Sequence, residues 1–119
     1  MRNFRKLDVW IGGRELVKDI YLLSSKMPET EKFGLTTQMN RCVVSIPANI
    51  AEGSSKESSK DFNRYLQIAL GSSYELETHL LLCFDLNFFE KKELSLVLEK
   101  VQILQKRISA FIKHTKENL

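Results

Sequence analysis

The stretch Thr36-Thr37-Gln38-Met39-Asn40-Arg41-Cys42-Val43-Val44-Ser45-Ile46-Pro47-Ala48-Asn49-Ile50 admits two readings, and the fold turns on the choice. Met39, Cys42, Val43, Ile46 and Ile50 keep the steps of three and four that place side chains on one face of a helix. Pro47 lies inside that pattern, where it removes a backbone donor and presses on the carbonyl four residues back, at Val43. The competing reading is a short strand, Cys42 to Ile46, with a new helix opening at Pro47, since proline suits a first turn. A lone strand would find no partner elsewhere in this sequence, and its backbone groups would go unpaired. We therefore read one helix, kinked at Pro47.

Helical spacing continues on both sides. Upstream, Trp10, Gly13, Val17, Ile20 and Ser24 form one stripe within Val9 to Met27, with Leu16 and Leu23 beside it. The residue before a proline avoids helical geometry, so Pro28 ends this first helix near Met27, and residues 28–34 read as a connecting loop. Downstream, Gly53 to Ser59 is a break. Ser58 followed by Asp61 resembles a capping box. Phe62, Tyr65, Leu66, Ala69, Ser73, Leu76, Leu80 and Cys83 define a long third helix, which Asn87 can end in a left-handed turn. Leu94, Val97, Val101, Leu104, Ile108 and Phe111 form the heptad-like seam of a fourth. Helices of this length, at ~1.5 Å per residue, would be roughly 30–40 Å long. Short connections make consecutive helices antiparallel neighbours. The expected fold is all-α: a single domain, 1–119, forming an up-down four-helix bundle.

Composition agrees. The 119 residues are 43% hydrophobic and 28% charged with only 2 Pro, which excludes disorder and many-turned β folds. No apolar run approaches the ~20 residues of a membrane span. The opening Arg2-Asn3-Phe4-Arg5-Lys6 has no apolar signal core behind it, because Gly12, Gly13, Arg14 and Glu15 interrupt. Two cysteines, Cys42 and Cys83, are too few for a disulfide scaffold. A cytoplasmic protein is expected.

The segment Val44-Ser45-Ile46-Pro47-Ala48-Asn49-Ile50-Ala51-Glu52-Gly53 resembles the signature of the bacterial four-helix-bundle proteins encoded in intervening sequences of 23S ribosomal RNA genes. That family includes the accessory subunits of diversity-generating retroelements. Phe4 to Trp10, Leu16-Val17-Lys18, Phe33 to Thr36, Gly71 to Thr78 and Asp85-Leu86-Asn87 fit the resemblance in order. It implies an antiparallel four-helix bundle, assembling in relatives into a homopentameric barrel. In the retroelement members it implies a basic surface that engages nucleic acid and a reverse transcriptase. Asn87 stands where the family usually has Gly. Glu90 stands where relatives often carry a Ser or Thr cap, so a looser start to the fourth helix is expected.

No catalytic constellation emerges, and no enzyme or cofactor is expected. Ser45, Asn49 and Glu52 are polar in an apolar frame, but no motif links a base to Ser45. Asn49 or Ser45 reads instead as satisfying backbone groups freed at Pro47. Glu75, His79 and Cys83, spaced by four, share a helical face, and Cys42 would complete a tetrahedral metal set. That spacing matches no known zinc pattern, and Cys83 between Leu82 and Phe84 reads as a core thiol. No metal is therefore expected, and His79 reads as paired with Glu75. Gly12-Gly13 and Gly71-Ser72-Ser73 read as close-packing sites, and Trp10 as either a core residue or an interface anchor.

Charge is the better guide. The net charge is +3, from 18 bases and 15 acids. Lys100, Lys106, Arg107, Lys113 and Lys116 occur with no acid among them, and Arg2, Arg5 and Lys6 precede Asp8. The start of the first helix and the end of the fourth share one end of an up-down bundle, so these bases merge into a rim that a ring of copies would multiply. The plainer alternative is that bases merely complement a helix carboxyl end. The expected phosphate contacts are Arg2, Arg5, Lys6, Lys106, Arg107, Lys113 and Lys116, with Arg14, Lys18 and Arg41 as second-line candidates on an inner barrel wall. RNA or DNA is the expected ligand. The alternative is a protein-interaction scaffold that never touches nucleic acid.

Overall fold

Cys42 to Ile46 is helical, within a helix that runs unbroken from Leu35–Ser54 with Pro47 inside it. The computed structural model describes residues 2–117, and among these there is no strand. The four helices are α1 (Asp8–Ser24), α2 (Leu35–Ser54), α3 (Ser59–Asp85) and α4 (Lys91–Glu117), with short 3-10 turns at Phe4–Lys6 and Glu29–Glu31. Asn49 Nδ2 donates to the Ser45 carbonyl at 2.8 Å, not to the Val43 carbonyl whose helical donor Pro47 removes. Gly13 of α1 lies against the proline ring, where a Cβ would stand 3.3 Å from Pro47 Cδ. Gly12 similarly faces Leu104 of α4, its would-be Cβ 3.2 Å from Cδ1.

Each helix end has a local cause. α1 stops at Ser24, three residues before Met27. The hydroxyls of Ser24 and Ser25 donate to the carbonyls of Tyr21 and Leu22, drawing the chain out of the helix before Pro28 acts. α2 opens on the Glu31 carboxylate, which accepts from the Leu35 amide at 3.2 Å. Ser58 caps α3, accepting from the Asp61 amide at 3.0 Å. Asn87 takes φ 64°, and the Phe88 and Asn87 amides return to the carbonyls of Cys83 and Phe84, closing a Schellman motif. The start of α4 is tied rather than loose. Glu93 accepts from the Glu90 amide through one carboxylate oxygen, and through the other holds Lys26 from the end of α1 at 2.6 Å.

Consecutive helices pack side by side, and α1 against α4 closes the ring. Contacts run in opposite chain senses along each seam: Lys26–Glu93, Asp19–Lys100 and Gly12–Leu104 between α1 and α4, and Ser45–Ser72 and Gly53–Tyr65 between α2 and α3. Between them lies one core, including Ile20, Met39, Ile46, Ile50, Phe62, Leu66, Leu76, Leu80, Val101 and Ile108, all fully enclosed or nearly so. The α3–α4 seam also buries amides. Asn63 donates to the Ile112 carbonyl and to Thr115 Oγ1 at 2.7 Å, and accepts from Gln67. Gln105 donates to Glu77 at 2.9 Å. Such pairs fix the register that apolar packing alone leaves soft. Gly71 supports no close packing within the chain: it is exposed, and a Cβ there would meet nothing within 4 Å. Ser73, its neighbour but one, is the buried member of that triplet.

Candidate nucleic-acid interface

Three segments converge at one end of the bundle: residues 2–8, 52–64 and 106–117. Arg2 donates to the Lys56 carbonyl at 2.7 Å, which joins the first segment to the second. Asn63 reaches Ile112, which joins the second to the third. Lys6 and Arg107 line one groove with Leu7, Asp8, Val9, Ala110 and Phe111. These segments carry ten Lys or Arg against five Asp or Glu. The opposite end, built from residues 22–38 and 82–95, carries four bases against five acids. The whole positive excess of the chain therefore sits at one end. Two helix starts and two helix ends meet there, so the backbone dipoles largely cancel and the field belongs to the side chains.

The seven first-line bases are not equivalent. Lys6, Lys106, Arg107, Lys113 and Lys116 are exposed, and no ion pair holds any of them among the described residues. Lys106 and Lys113, seven apart, project from the outer face of α4, opposite the buried Val101, Leu104 and Ile108. Arg5 is exposed and lies over the Phe4 ring at 5.8 Å. Arg2 is already used by the fold: besides its bond to Lys56 it stands 4.5 Å over the Phe62 ring and is half-buried.

Arg14, Lys18 and Arg41 lie nearer mid-length, away from this end. Arg14 covers the Trp10 ring at 5.5 Å, and Trp10 packs edge-on against Phe4. Arg41 lines a separate groove with Tyr21, Thr37, Asn40, Val44 and Ser45. Lys100 is paired with Asp19 at 3.0 Å and leaves the basic run. Lys56, Lys60 and Arg64 are the bases that sequence reasoning missed. They flank the α2–α3 turn, and Lys56 and Arg64 both cover the Tyr65 ring.

Two other clusters lie on the α2–α3 seam. Ser45 shares its hydroxyl contact with Ser72, not with a base. Cys42, Glu75 and His79 each offer a donor atom within 4.8 Å of the others. Burial pushes the Cys42 thiol up to about 12, reinforced by the nearby Glu75 charge, and burial pushes the core thiol of Cys83 up to about 11. Both cysteines are free and buried.

A basic-ended, all-α four-helix bundle is the class of protein that fold and charge define. The family model described as 23S rRNA-intervening sequence protein matches residues 5–110, and the chain belongs to that family. Among solved structures it is similar to a protein of unknown function from the S23 ribosomal protein family of Bacteroides thetaiotaomicron VPI-5482. The two share 26% identity and a TM-score of 0.82, over 88% of this chain and 98% of the other. Comparison with the curated proteins returned no match. Among the described residues, no helix is long and apolar enough to cross a membrane.

Proposed function

We propose that this protein is a non-catalytic, cytoplasmic nucleic-acid-binding accessory factor that seats RNA or DNA phosphates on its basic end. It would work beside a nucleic-acid enzyme such as a reverse transcriptase. The observation that carries the reading is charge polarisation: ten bases against five acids at one end, with seven of the bases (Arg5, Lys6, Lys60, Lys106, Arg107, Lys113 and Lys116) exposed and in no ion pair among the described residues. Lys6, Lys106, Arg107, Lys113 and Lys116 make the principal phosphate contacts, and Arg5 sits at their edge. Arg2 holds the terminal segment in place. Aromatic rings at this end are largely engaged, Phe111 against Phe62 and Phe4 against Trp10. Binding therefore tracks the phosphate backbone and is indifferent to base sequence.

Assembly into a ring of copies, a homopentamer in this proposal, repeats the basic end and raises avidity. Large apolar side chains left outside the core support assembly: Leu22, Leu96 and Tyr74 are each more than half exposed. That same observation favours the second reading, a scaffold that binds protein alone.

Retention on immobilised RNA or DNA tests the choice. With about five phosphates neutralised per copy, affinity falls by a few hundredfold between roughly 50 and 200 mM salt. The triple variant Lys106→Glu, Arg107→Glu, Lys113→Glu abolishes retention. Retention unchanged in that variant rejects the basic end as the site, and no retention by the native protein at low salt selects the scaffold.

A further inference from the structure

The α2–α3 seam carries a second constellation that phosphate binding does not use. Glu75 and His79 are four apart on α3 and therefore share a face. The register set by the Ser45–Ser72 contact brings Cys42 of α2 opposite them. The donor atoms of the three residues lie within 4.8 Å of one another. The geometry points to a divalent transition-metal site of zinc type, with Cys42, Glu75 and His79 as its protein ligands.

Three observations carry this. First, both ring nitrogens of His79 are buried and neither has a hydrogen-bond partner. A buried imidazole left so is costly, and a cation would take one nitrogen out of that state. Second, His79 Nε2 stands 3.4 Å from Glu75 Oε2. That is long for an N–H···O bond, whose range ends at about 3.2 Å. It matches the N···O edge, about 3.3–3.4 Å, of a tetrahedron with metal–ligand bonds of about 2.0–2.1 Å. Third, the donors are one thiol, one imidazole and one carboxylate, the mixed set that suits Zn²⁺ rather than Mg²⁺ or Ca²⁺.

The surroundings allow entry. Cys42 is buried, His79 nearly so, and the Glu75 side chain is 55% exposed, so solvent reaches the triad from its side. Cys42 Sγ donates weakly to the Met39 carbonyl at 3.3 Å and also interacts with the Glu75 carboxylate. Drawing the three donors onto one ion needs a shift on the order of 1 Å, within the freedom of the exposed Glu75 side chain. Three protein ligands leave a fourth position for water on that open side. Cys83 takes no part: it is wholly enclosed in the core and absent from the cluster.

Cobalt is the probe. The full chain, stripped of metal and kept reduced, is titrated with Co²⁺ and followed by absorption. One equivalent is expected to give a thiolate-to-cobalt charge-transfer band in the near ultraviolet and the intense visible bands of tetrahedral Co²⁺. Zn²⁺ is expected to abolish both. Cys42→Ser should remove the charge-transfer band, whereas Cys83→Ser should leave it intact. Glu75→Gln and His79→Ala should weaken binding by at least the 10–100-fold that loss of an outer-shell partner costs. Far-ultraviolet circular dichroism checks that each variant is folded, and Glu75→Gln, altering an exposed carboxylate, decides the matter should Cys42→Ser fail that check. The proposal is overturned by no charge-transfer band in the native chain, by its survival in folded Cys42→Ser, or by Glu75→Gln binding as tightly as the native protein.

Discussion

The same substitution made at two glycines should move stability in opposite directions. Gly53, in the last turn of α2, faces α3 so closely that an added Cβ would stand 2.5 Å from Tyr65 Cβ and 3.1 Å from Phe62 Cδ1. Tyr65 Cβ is fixed to its own backbone and cannot swing away. Reaching ordinary contact at 3.4 Å requires the two helices to separate by the difference, 0.9 Å. Overpacking of this kind costs about 1–3 kcal/mol. Alanine returns at most ~1 kcal/mol of helix propensity, less in a last turn. Gly53→Ala should therefore be net destabilising by roughly 1–2 kcal/mol, which for a chain of 119 residues lowers Tm by roughly 3–6 °C per kcal/mol. Gly71 is exposed in mid-α3 with nothing within 4 Å of its would-be Cβ. Gly71→Ala should gain about 0.5–1 kcal/mol through reduced chain entropy and better propensity. Urea unfolding of both variants at one protein concentration reads the two shifts against the native chain. A neutral or stabilised Gly53→Ala would refute the close approach of α2 and α3. A destabilised Gly71→Ala would show that α3's outer face is covered in the assembled protein.

Other consequences are equally direct. Asn63→Ala removes a buried amide that bridges α3 to Ile112 and Thr115 and takes the acceptor from Gln67, so it should cost about 1–3 kcal/mol, read as a lowered urea midpoint. The Lys26–Glu93 tie between the end of α1 and the start of α4 should be pH-limited at both ends. Its hydrogen bond to Lys26 holds the Glu93 carboxyl below its ordinary 4.5, and the same bond raises Lys26 above 10.5. The tie is therefore fully present between about pH 4.5 and 10.5, is lost as pH falls through Glu93's lowered value, and is lost again as pH rises through that of Lys26. Native and Glu93→Gln proteins, compared by amide exchange in the first turn of α4, should differ at neutral pH and converge in acid.

Much of the fold was legible because helical spacing is a local property. Met39, Cys42, Val43, Ile46 and Ile50 announced one buried face, and all five are buried. Ser58 and Asn87 announced an N-cap and a left-handed turn through their own chemistry, and each takes that role. The misjudged end of α1 followed from weighing Pro28 above Ser24 and Ser25, whose hydroxyls compete for the same carbonyls. The candidate interface was legible only in part, because surface charge adds up in space and not along the chain. Lys56, Lys60 and Arg64 sit beside Glu57 and Asp61 in the sequence; the fold carries all three to the end where Lys106 and Lys113 emerge, with Arg64 held 3.9 Å from Asp61. Lys100 errs the other way, counted with the bases until α1 delivers Asp19. The Cys42 cluster shows the same limit: the spacing of Glu75 and His79 was visible, but which cysteine they meet is set by the α2–α3 register.

The molecule is a rod of 45 × 23 × 19 Å with its charge gathered at one tip. On the proposed function, a polyanion taken up there would meet the narrow cross-section, and each copy would stand upright over only about 23 Å of track. On duplex DNA, at one phosphate per ~1.7 Å of axis, that is roughly 13 charges. Neighbouring molecules can then line up shoulder to shoulder, and their far tips, without surplus positive charge, form a raised fringe some 45 Å from the track, where a second macromolecule could land without competing for the nucleic acid.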